Sequence, residues 1–103
     1  MDLKNKIIVV TGASNGIGRA CVEDFLTKNA KVYGIDIDES NGKKLEKETK
    51  NFTYIQGDIS NVTDISRAKN IILDKEGKVD ILINNAAKQT SSTFFETSID
   101  DFK

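Results

Sequence analysis

Residues 11–18, with the sequence TGASNGIG, contain three glycines within seven positions. A diphosphate needs backbone N–H donors at short range, and side chains would block its approach. In such a loop Gly12 permits the tight turn out of a strand, Gly16 lets the backbone approach the diphosphate, and Gly18 lets the following helix pack closely on the sheet. The spacing therefore predicts a diphosphate-binding loop at the start of a helix. We also place three intervening residues in this loop: Ser14, Asn15 and Ile17.

The glycine spacing is GxxxGxG, which differs from the GxGxxG fingerprint and from the phosphate loop that ends in Gly-Lys-Ser/Thr. A glycine-rich turn that holds no ligand is the alternative interpretation. The loop lies directly between an apolar run and an amphipathic segment, and this position favours the ligand-binding interpretation.

Asp36 ends the second apolar run, at the spacing of roughly 20 residues expected for an acid that binds a ribose. Its carboxylate can accept hydrogen bonds from both ribose hydroxyls, whereas a 2′-phosphate about 4 Å away would be repelled by roughly 1–4 kcal/mol. No Lys or Arg occurs at residues 35–38 to reverse that preference. The sequence therefore predicts NAD as the cofactor in preference to NADP. The alternative is that Asp36 is only an exposed acid at a strand end.

Composition excludes several other chemistries. The chain has no histidine and only one cysteine, Cys21, so a disulfide within the chain, a Cys/His zinc site and a Ser-His-Asp triad are all excluded. With 15 basic and 16 acidic residues it lacks the basic footprint of a nucleic-acid-binding protein. No apolar run approaches the length of a membrane span or a signal-peptide core. We expect no nucleic acid and no membrane as partners, and a cytoplasmic location.

The elements that position these residues alternate between strands and helices. Four short, unbroken apolar runs indicate strands that are covered on both faces, as in a parallel sheet. They recur at the spacing of βαβ units, which predicts a doubly wound α/β sheet. The four predicted strands are 7–10, 32–35, 52–55 and 79–83.

Three helices are predicted between the strands. The first carries an inward stripe formed by Ile17, Ala20, Cys21 and Phe25, with Val22 and Leu26 beside it, and Asn29 then adopts the left-handed conformation that ends a helix. The second spans 40–50, with Glu46 and Lys50 four residues apart on an exposed face. The third spans 61–76 and ends at Gly77. Its predicted inward residues are Val62, Ile65, Ala68 and Ile72.

Two further motifs each follow a strand of their own. Asp58-Ile59 follows the third strand, and Asn84-Asn85-Ala86-Ala87 follows the fourth. Together with the glycine loop, in this order, they resemble the short-chain dehydrogenases/reductases over the whole chain. The resemblance implies a Rossmann-type sheet, here incomplete, with about four strands in the order 3-2-1-4 and helices on both faces.

The resemblance also implies roles for these residues. Asp58 would contact the adenine, together with Ile59. Asn85 and Ala86 would line the cofactor site, while Asn84 would satisfy backbone groups. Ala87 stands where the family has glycine, which could crowd the cofactor's ribose or alter the loop.

The activity that the resemblance implies is hydride transfer between a nicotinamide cofactor and an alcohol or carbonyl substrate, in a homo-oligomeric enzyme. The resemblance places the family's catalytic Ser and its Tyr-x-x-x-Lys pair beyond the motif at residues 84–87. Neither tyrosine of this chain forms such a pair, because Tyr33 is followed four residues later by Ile37, and Tyr54 by Asp58. We therefore expect residues 1–103 to be the N-terminal, NAD-binding part of a truncated single domain, inactive on its own. Two alternatives remain: a non-catalytic nucleotide-binding module, and an S-adenosylmethionine-dependent methyltransferase, which also binds a ribose with a strand-end acid.

Overall fold

The computed structural model describes residues 2–14 and 16–85. In this part of the chain, strands and helices alternate, as the sequence predicts. The elements are β1 (Ile7–Thr11), α1 (Gly16–Thr27), β2 (Lys31–Asp36), α2 (Glu39–Glu48), β3 (Phe52–Gln56), α3 (Val62–Glu76) and β4 (Ile81–Asn84).

The four strands are parallel and lie in the order β3-β2-β1-β4, which confirms the predicted topology. The strand order reverses between β1 and β4, and in open α/β sheets ligands bind outside the carboxyl ends of the strands at such a point. Strand β4 begins at Ile81, two residues later than predicted. Asp80 precedes it and exchanges two hydrogen bonds with Ile7, of which one is backbone to backbone and the other joins the Ile7 N–H to the Asp80 carboxylate.

Both faces of the sheet are covered, as the unbroken apolar runs predict. Successive residues of a strand point to opposite faces, so Ile7 and Val9 of β1 pack towards α3, while Ile8 and Val10 pack towards α1 and α2. All five residues of β1 are buried. The helices contribute Ala68 and Ile72 to the first core, and Val22 and Leu45 to the second.

Two predicted helix faces are partly wrong. The side chains of Ile17 and Val62 are 74% and 76% exposed, and Ala20 is exposed as well. Ile17 and Val62 lie in the first turns of α1 and α3. Periodicity shows which residues share a helix face, but it does not show where along its length the helix overlaps the sheet. The buried positions of α1 are Gly18 and Val22, so the helix is rotated to bring its glycine against the preceding loop.

The helix ends follow local rules. Asn29 has φ 65°, in the left-handed region. Gly77 ends α3 in the left-handed conformation, and its N–H donates to the Leu73 carbonyl at 2.9 Å. Both helix ends were predicted.

Helix α2 ends at Glu48, so Lys50 lies beyond it and the predicted Glu46–Lys50 helix pair is wrong. The carboxylate of Glu46 accepts from the backbone N–H of Tyr54 instead. None of the helices in the described ranges combines the length and apolar character needed to cross a bilayer.

Candidate functional site

The glycine loop has the backbone conformation for which its glycines were singled out. Gly12 and Gly16 have φ of 65° and 56°, in the left-handed region that glycine adopts without a steric penalty. A Cβ atom on Gly16 would meet nothing within 4 Å, so the backbone there is bare. A Cβ on Gly18 would lie 1.8 Å from the Gly12 carbonyl oxygen and 2.7 Å from Nδ2 of Asn85. Gly18 is therefore required for close packing of the helix on the loop, and Asn15 lies outside the described residues.

Helix α1 begins at Gly16, so the N–H groups of its first turn have no acceptor within the helix. These groups and the positive end of the helix dipole form an anion-binding arrangement. Ile17 lies in this first turn with its side chain in solvent. The start of the helix can therefore donate to an anionic ligand without first moving a side chain.

Asp36 is fixed beside this loop at the end of β2. Its Oδ2 accepts from the backbone N–H of Ser14 at 3.0 Å, and its Oδ1 accepts from the backbone N–H of Asp38 at 2.9 Å. Both donors are neutral amides, and each carboxylate oxygen can accept more than one hydrogen bond. The carboxylate therefore bonds to the glycine loop and keeps capacity for further donors, unlike a merely exposed strand-end acid.

Asp58 lies at the end of the neighbouring strand and orders its own turn. Its Oδ1 accepts from both the N–H and the hydroxyl of Ser60, at 2.9 and 2.7 Å. These bonds from Ser60 hold the pKa of the Asp58 carboxyl below its usual range. Asn61, rather than Asp58, caps α3, because its side chain accepts from the N–H of Asp64. The exposed carboxylate of Asp58 is thus ionised and fixed in direction.

The motif after β4 meets the glycine loop through Thr11. The Thr11 hydroxyl donates to Oδ1 of Asn84 and accepts from the N–H of Asn85, both at 3.0 Å. The side-chain amide of Asn85 donates to the Gly12 carbonyl at 3.2 Å. The bond of Asn84 joins two side chains, whereas the side chain of Asn85 bonds to a backbone carbonyl of the loop and so borders it. Ala86 and Ala87 lie outside the described residues.

A cleft of about 130 Å³ opens between the carboxyl ends of the first three strands. It brings together four residues that the sequence singled out: Gly12, Asp36, Asp58 and Ile59. Sequence reasoning missed three others that line it: Ile35, Ile37 and Gly57. The sequence signal for Ile37 is a large apolar residue directly after the strand-end acid. The structure leaves this side chain 67% exposed. A mostly apolar cleft with carboxylates at its edge fits a flat heterocycle joined to a sugar.

Comparison with known proteins agrees with this geometry. The family model described as short chain dehydrogenase matches residues 6–103. L-fucose dehydrogenase of Mus musculus is 38% identical over 81 residues, which cover 79% of this chain and 30% of that protein. Meso-2,3-butanediol dehydrogenase of Serratia marcescens is 33% identical over an alignment that covers 100% of this chain and 42% of that protein.

The chain is also similar in structure to a reductase of known structure. The crystal structure of 3-ketoacyl-(acyl-carrier-protein) reductase from Brucella melitensis, complexed with NADH, superposes with a TM-score of 0.74 at 33% identity, over 78% of this chain and 33% of that one. The chain spans between 30% and 42% of the length of these two curated relatives.

Proposed function

The chain belongs to the short-chain dehydrogenase family, and from this membership we propose that it binds NAD as the cofactor-binding part of an oxidoreductase. The reaction is hydride transfer between the nicotinamide and the substrate. NAD accepts the hydride from an alcohol, and NADH donates it to a carbonyl. One observation carries the proposal: the Asp36 carboxylate bonds to the N–H of Ser14 within the glycine loop, at the mouth of the cleft. The proposed ribose-binding acid and the proposed diphosphate-binding loop are thus hydrogen-bonded to each other.

Each part of the dinucleotide has residues that suit it. The bare backbone of the loop and the first turn of α1 suit the diphosphate, and Asp36 suits the adenosine ribose. The apolar cleft wall suits the adenine, with the fixed carboxylate of Asp58 at its rim. The proposed cofactor-binding residues are Gly12, Ser14, Asn15, Gly16, Ile17, Gly18, Asp36, Asp58, Ile59, Asn85 and Ala86, to which the cleft adds Ile37.

The preference for NAD over NADP follows from the partners of Asp36. Its two oxygens accept from amides that carry no net charge, and among the described residues it makes no ion pair. A 2′-phosphate at this position would meet an uncompensated negative charge, at a cost of roughly 1–4 kcal/mol.

The described tyrosines do not suit the family's proton transfer, which needs a tyrosine pKa lowered towards neutrality. Burial raises the pKa of Tyr54 to about 12, and its hydroxyl donates to the Asp36 carbonyl. Burial likewise raises the pKa of Tyr33, whose hydroxyl donates to Glu76. We therefore place the catalytic Ser, Tyr and Lys outside this chain and propose that residues 1–103 contribute cofactor binding alone.

We further propose a small alcohol or carbonyl as the substrate of the complete enzyme, which would be a cytoplasmic homo-oligomer. The two relatives act as dehydrogenases of L-fucose and meso-2,3-butanediol, which supports an alcohol substrate. Both the location and the oligomer are proposed from the family membership.

Isothermal titration calorimetry of the 103-residue chain with NADH and NADPH tests the proposal. We expect NADH to bind and NADPH to bind at least about fivefold more weakly, because of the repulsion of roughly 1–4 kcal/mol at Asp36. Asp36→Asn should weaken NADH binding and reduce the difference between the affinities for NADH and NADPH. Asp24→Asn is the matched control, because it removes the same charge from an exposed acid of α1 and should leave both affinities unchanged. Folded protein that gives no heat with NADH, or equal dissociation constants for the two cofactors, would overturn the proposal.

A further inference from the structure

The backbone of Asp36 has a second anchor besides the strand ladder. Its carbonyl oxygen accepts from the N–H of Gly57 at 3.1 Å and from the hydroxyl of Tyr54 at 2.8 Å. Tyr54 lies in β3 and pairs with Gly34, two residues before Asp36. Because alternate residues of a strand share a face, Tyr54 and Asp36 direct their side chains to the same side of the sheet. The tyrosine thus reaches diagonally along this face to the end of the neighbouring strand.

The Tyr54 ring is itself held by α2. A Cβ atom on Gly42 of that helix would lie 2.3 Å from two ring carbons, so the helix backbone rests on the ring with no room for a side chain. Four residues later in the same helix, the carboxylate of Glu46 accepts from the N–H of Tyr54 at 2.8 Å. The ring plane and the position of the hydroxyl are therefore fixed by packing, which makes the bond to the Asp36 carbonyl directional.

The start of α2 is joined to the same carboxylate. Asp38 caps the helix, its N–H donates to Oδ1 of Asp36, and its carbonyl accepts from the Ser14 hydroxyl at 3.4 Å. Tyr54 therefore contacts both bodies that orient the Asp36 carboxylate, namely the end of β2 through its hydroxyl and α2 through its ring.

We propose that Tyr54 is a positioning residue for cofactor binding, which fixes the direction in which Asp36 presents its carboxylate to the adenosine ribose. The inference rests on the proposed function and extends it by one residue that does not touch the cofactor. Tyr54 acts through its bond to the main chain of Asp36 and through the packing of its ring against α2. Its contribution to NADH affinity therefore depends on the Asp36 carboxylate being present.

The test is a double-mutant cycle read by the dissociation constant for NADH. Tyr54→Phe keeps the ring against Gly42 and removes only the hydroxyl, and we expect it to weaken NADH binding about 3- to 10-fold, the effect of one net hydrogen bond. In the Asp36→Asn background the same change should have almost no further effect, because the two residues act as one unit. Tyr33→Phe is the matched control. It removes the same atom from the other tyrosine, whose hydroxyl bonds to Glu76, and it should leave the NADH affinity unchanged.

The outcomes separate the two proposals. If the natural chain does not bind NADH, the proposed function fails and the inference fails with it. If the natural chain binds NADH and Tyr54→Phe binds it equally well, only the inference is overturned. The same holds if Tyr54→Phe lowers the NADH affinity by the same factor with and without the Asp36 carboxylate.

Circular dichroism verifies that each variant is folded. Gly42→Ala tests the same contact from the helix side even if Tyr54→Phe does not fold, because its added methyl must displace the ring or the helix. An unchanged NADH affinity in Gly42→Ala also overturns the inference.

Discussion

The amino and carboxyl ends of the sheet are both rich in polar residues, but the polar groups are arranged differently. At the amino end, three asparagines hold left-handed turns before successive strands: Asn5, Asn29 and Asn51 have φ of 63°, 65° and 64°. The N–H of Asn5 donates to the Asn29 carbonyl, and the Asn51 carbonyl accepts from Val32. The backbone polar groups of these turns hydrogen-bond to each other and to the first residues of neighbouring strands.

A charged cluster completes the amino end. The carboxylate of Glu76 accepts from the Tyr33 hydroxyl at 2.5 Å and from the Lys31 ammonium at 2.6 Å. Burial alone would raise the pKa of Glu76, but the bonds from Lys31 and Tyr33 hold it below its usual range. A cleft of about 360 Å³ lies here, larger than the one at the carboxyl end, yet its charged lining groups already bond to each other.

At the carboxyl end, within residues 2–14 and 16–85, the corresponding acid pairs with no cation. In that part of the chain the Asp36 carboxylate accepts from backbone amides, and the adjoining loop has bare backbone at Gly16. Cleft volume therefore does not identify the proposed cofactor site. Among the described residues, the Asp36 carboxylate keeps capacity for further hydrogen bonds and pairs with no cation, whereas Glu76 at the amino end is paired with Lys31.

The largest expected effect comes from Gly18→Ala. The added methyl would overlap the Gly12 carbonyl, which is backbone and cannot move aside like a flexible side chain. We expect the free energy of unfolding to fall by about 3 kcal/mol, the upper part of the range for overpacking, and NADH binding to be lost. Urea denaturation and calorimetry measure the two effects.

Gly77→Ala is the matched change at the amino end. A Cβ there meets nothing within 4 Å, so only the left-handed backbone is strained, at a cost of about 1 kcal/mol. NADH affinity should be unchanged. Equal losses of stability and affinity in the two alanine variants would contradict the proposed difference between the ends.

Glu76→Gln is expected to have an intermediate effect on stability and none on NADH affinity. Removing the charge weakens the bonds from Lys31 and Tyr33, which should cost about 2 kcal/mol at pH 7. Because the folded pKa of Glu76 is lowered, its contribution is present above the unfolded value of about 4.3 and is lost as the pH falls through the folded pKa.

Urea midpoints at pH 7, 5, 4 and 3 measure this contribution. The natural chain should lose more stability than the variant below about pH 4.3, so the difference between them should narrow there. A difference that stays constant down to pH 3 would show that Glu76 contributes by packing and not by charge.

Thr11→Val is expected to have a smaller effect on stability than Gly18→Ala or Glu76→Gln. It removes the hydroxyl that bonds to Asn84 and Asn85, which should lower the free energy of unfolding by about 1 kcal/mol. Since Asn85 borders the glycine loop, NADH affinity should also fall, unlike in Glu76→Gln. Thr11→Ser keeps the hydroxyl and is the control for its hydrogen bonds. If Thr11→Ser weakens NADH binding as much as Thr11→Val does, the methyl group of Thr11, and not its hydroxyl, positions Asn85 beside the loop.

Much of the fold could be predicted from the sequence, because local rules govern it. Unbroken β-branched runs occur where strands are covered on both faces, and Asn29 and Gly77 end helices where left-handed conformations are needed. The exposed side chains of Ile17 and Val62 could not be predicted. The side of a helix that meets the sheet depends on its rotation and overlap, which its neighbours determine.

For the candidate site, the sequence by itself determined the residue types and their placement at strand ends: the glycine loop, Asp36 and Asp58. Only the tertiary structure decided their relations. The bond between Ser14 and Asp36 joins residues 22 positions apart, and the bond from Tyr54 to the Asp36 carbonyl joins adjacent strands. Spacing along one chain predicts that groups reach the same edge of a sheet. The direction of a carboxylate depends on donors that several elements bring together, and no local pattern encodes that geometry.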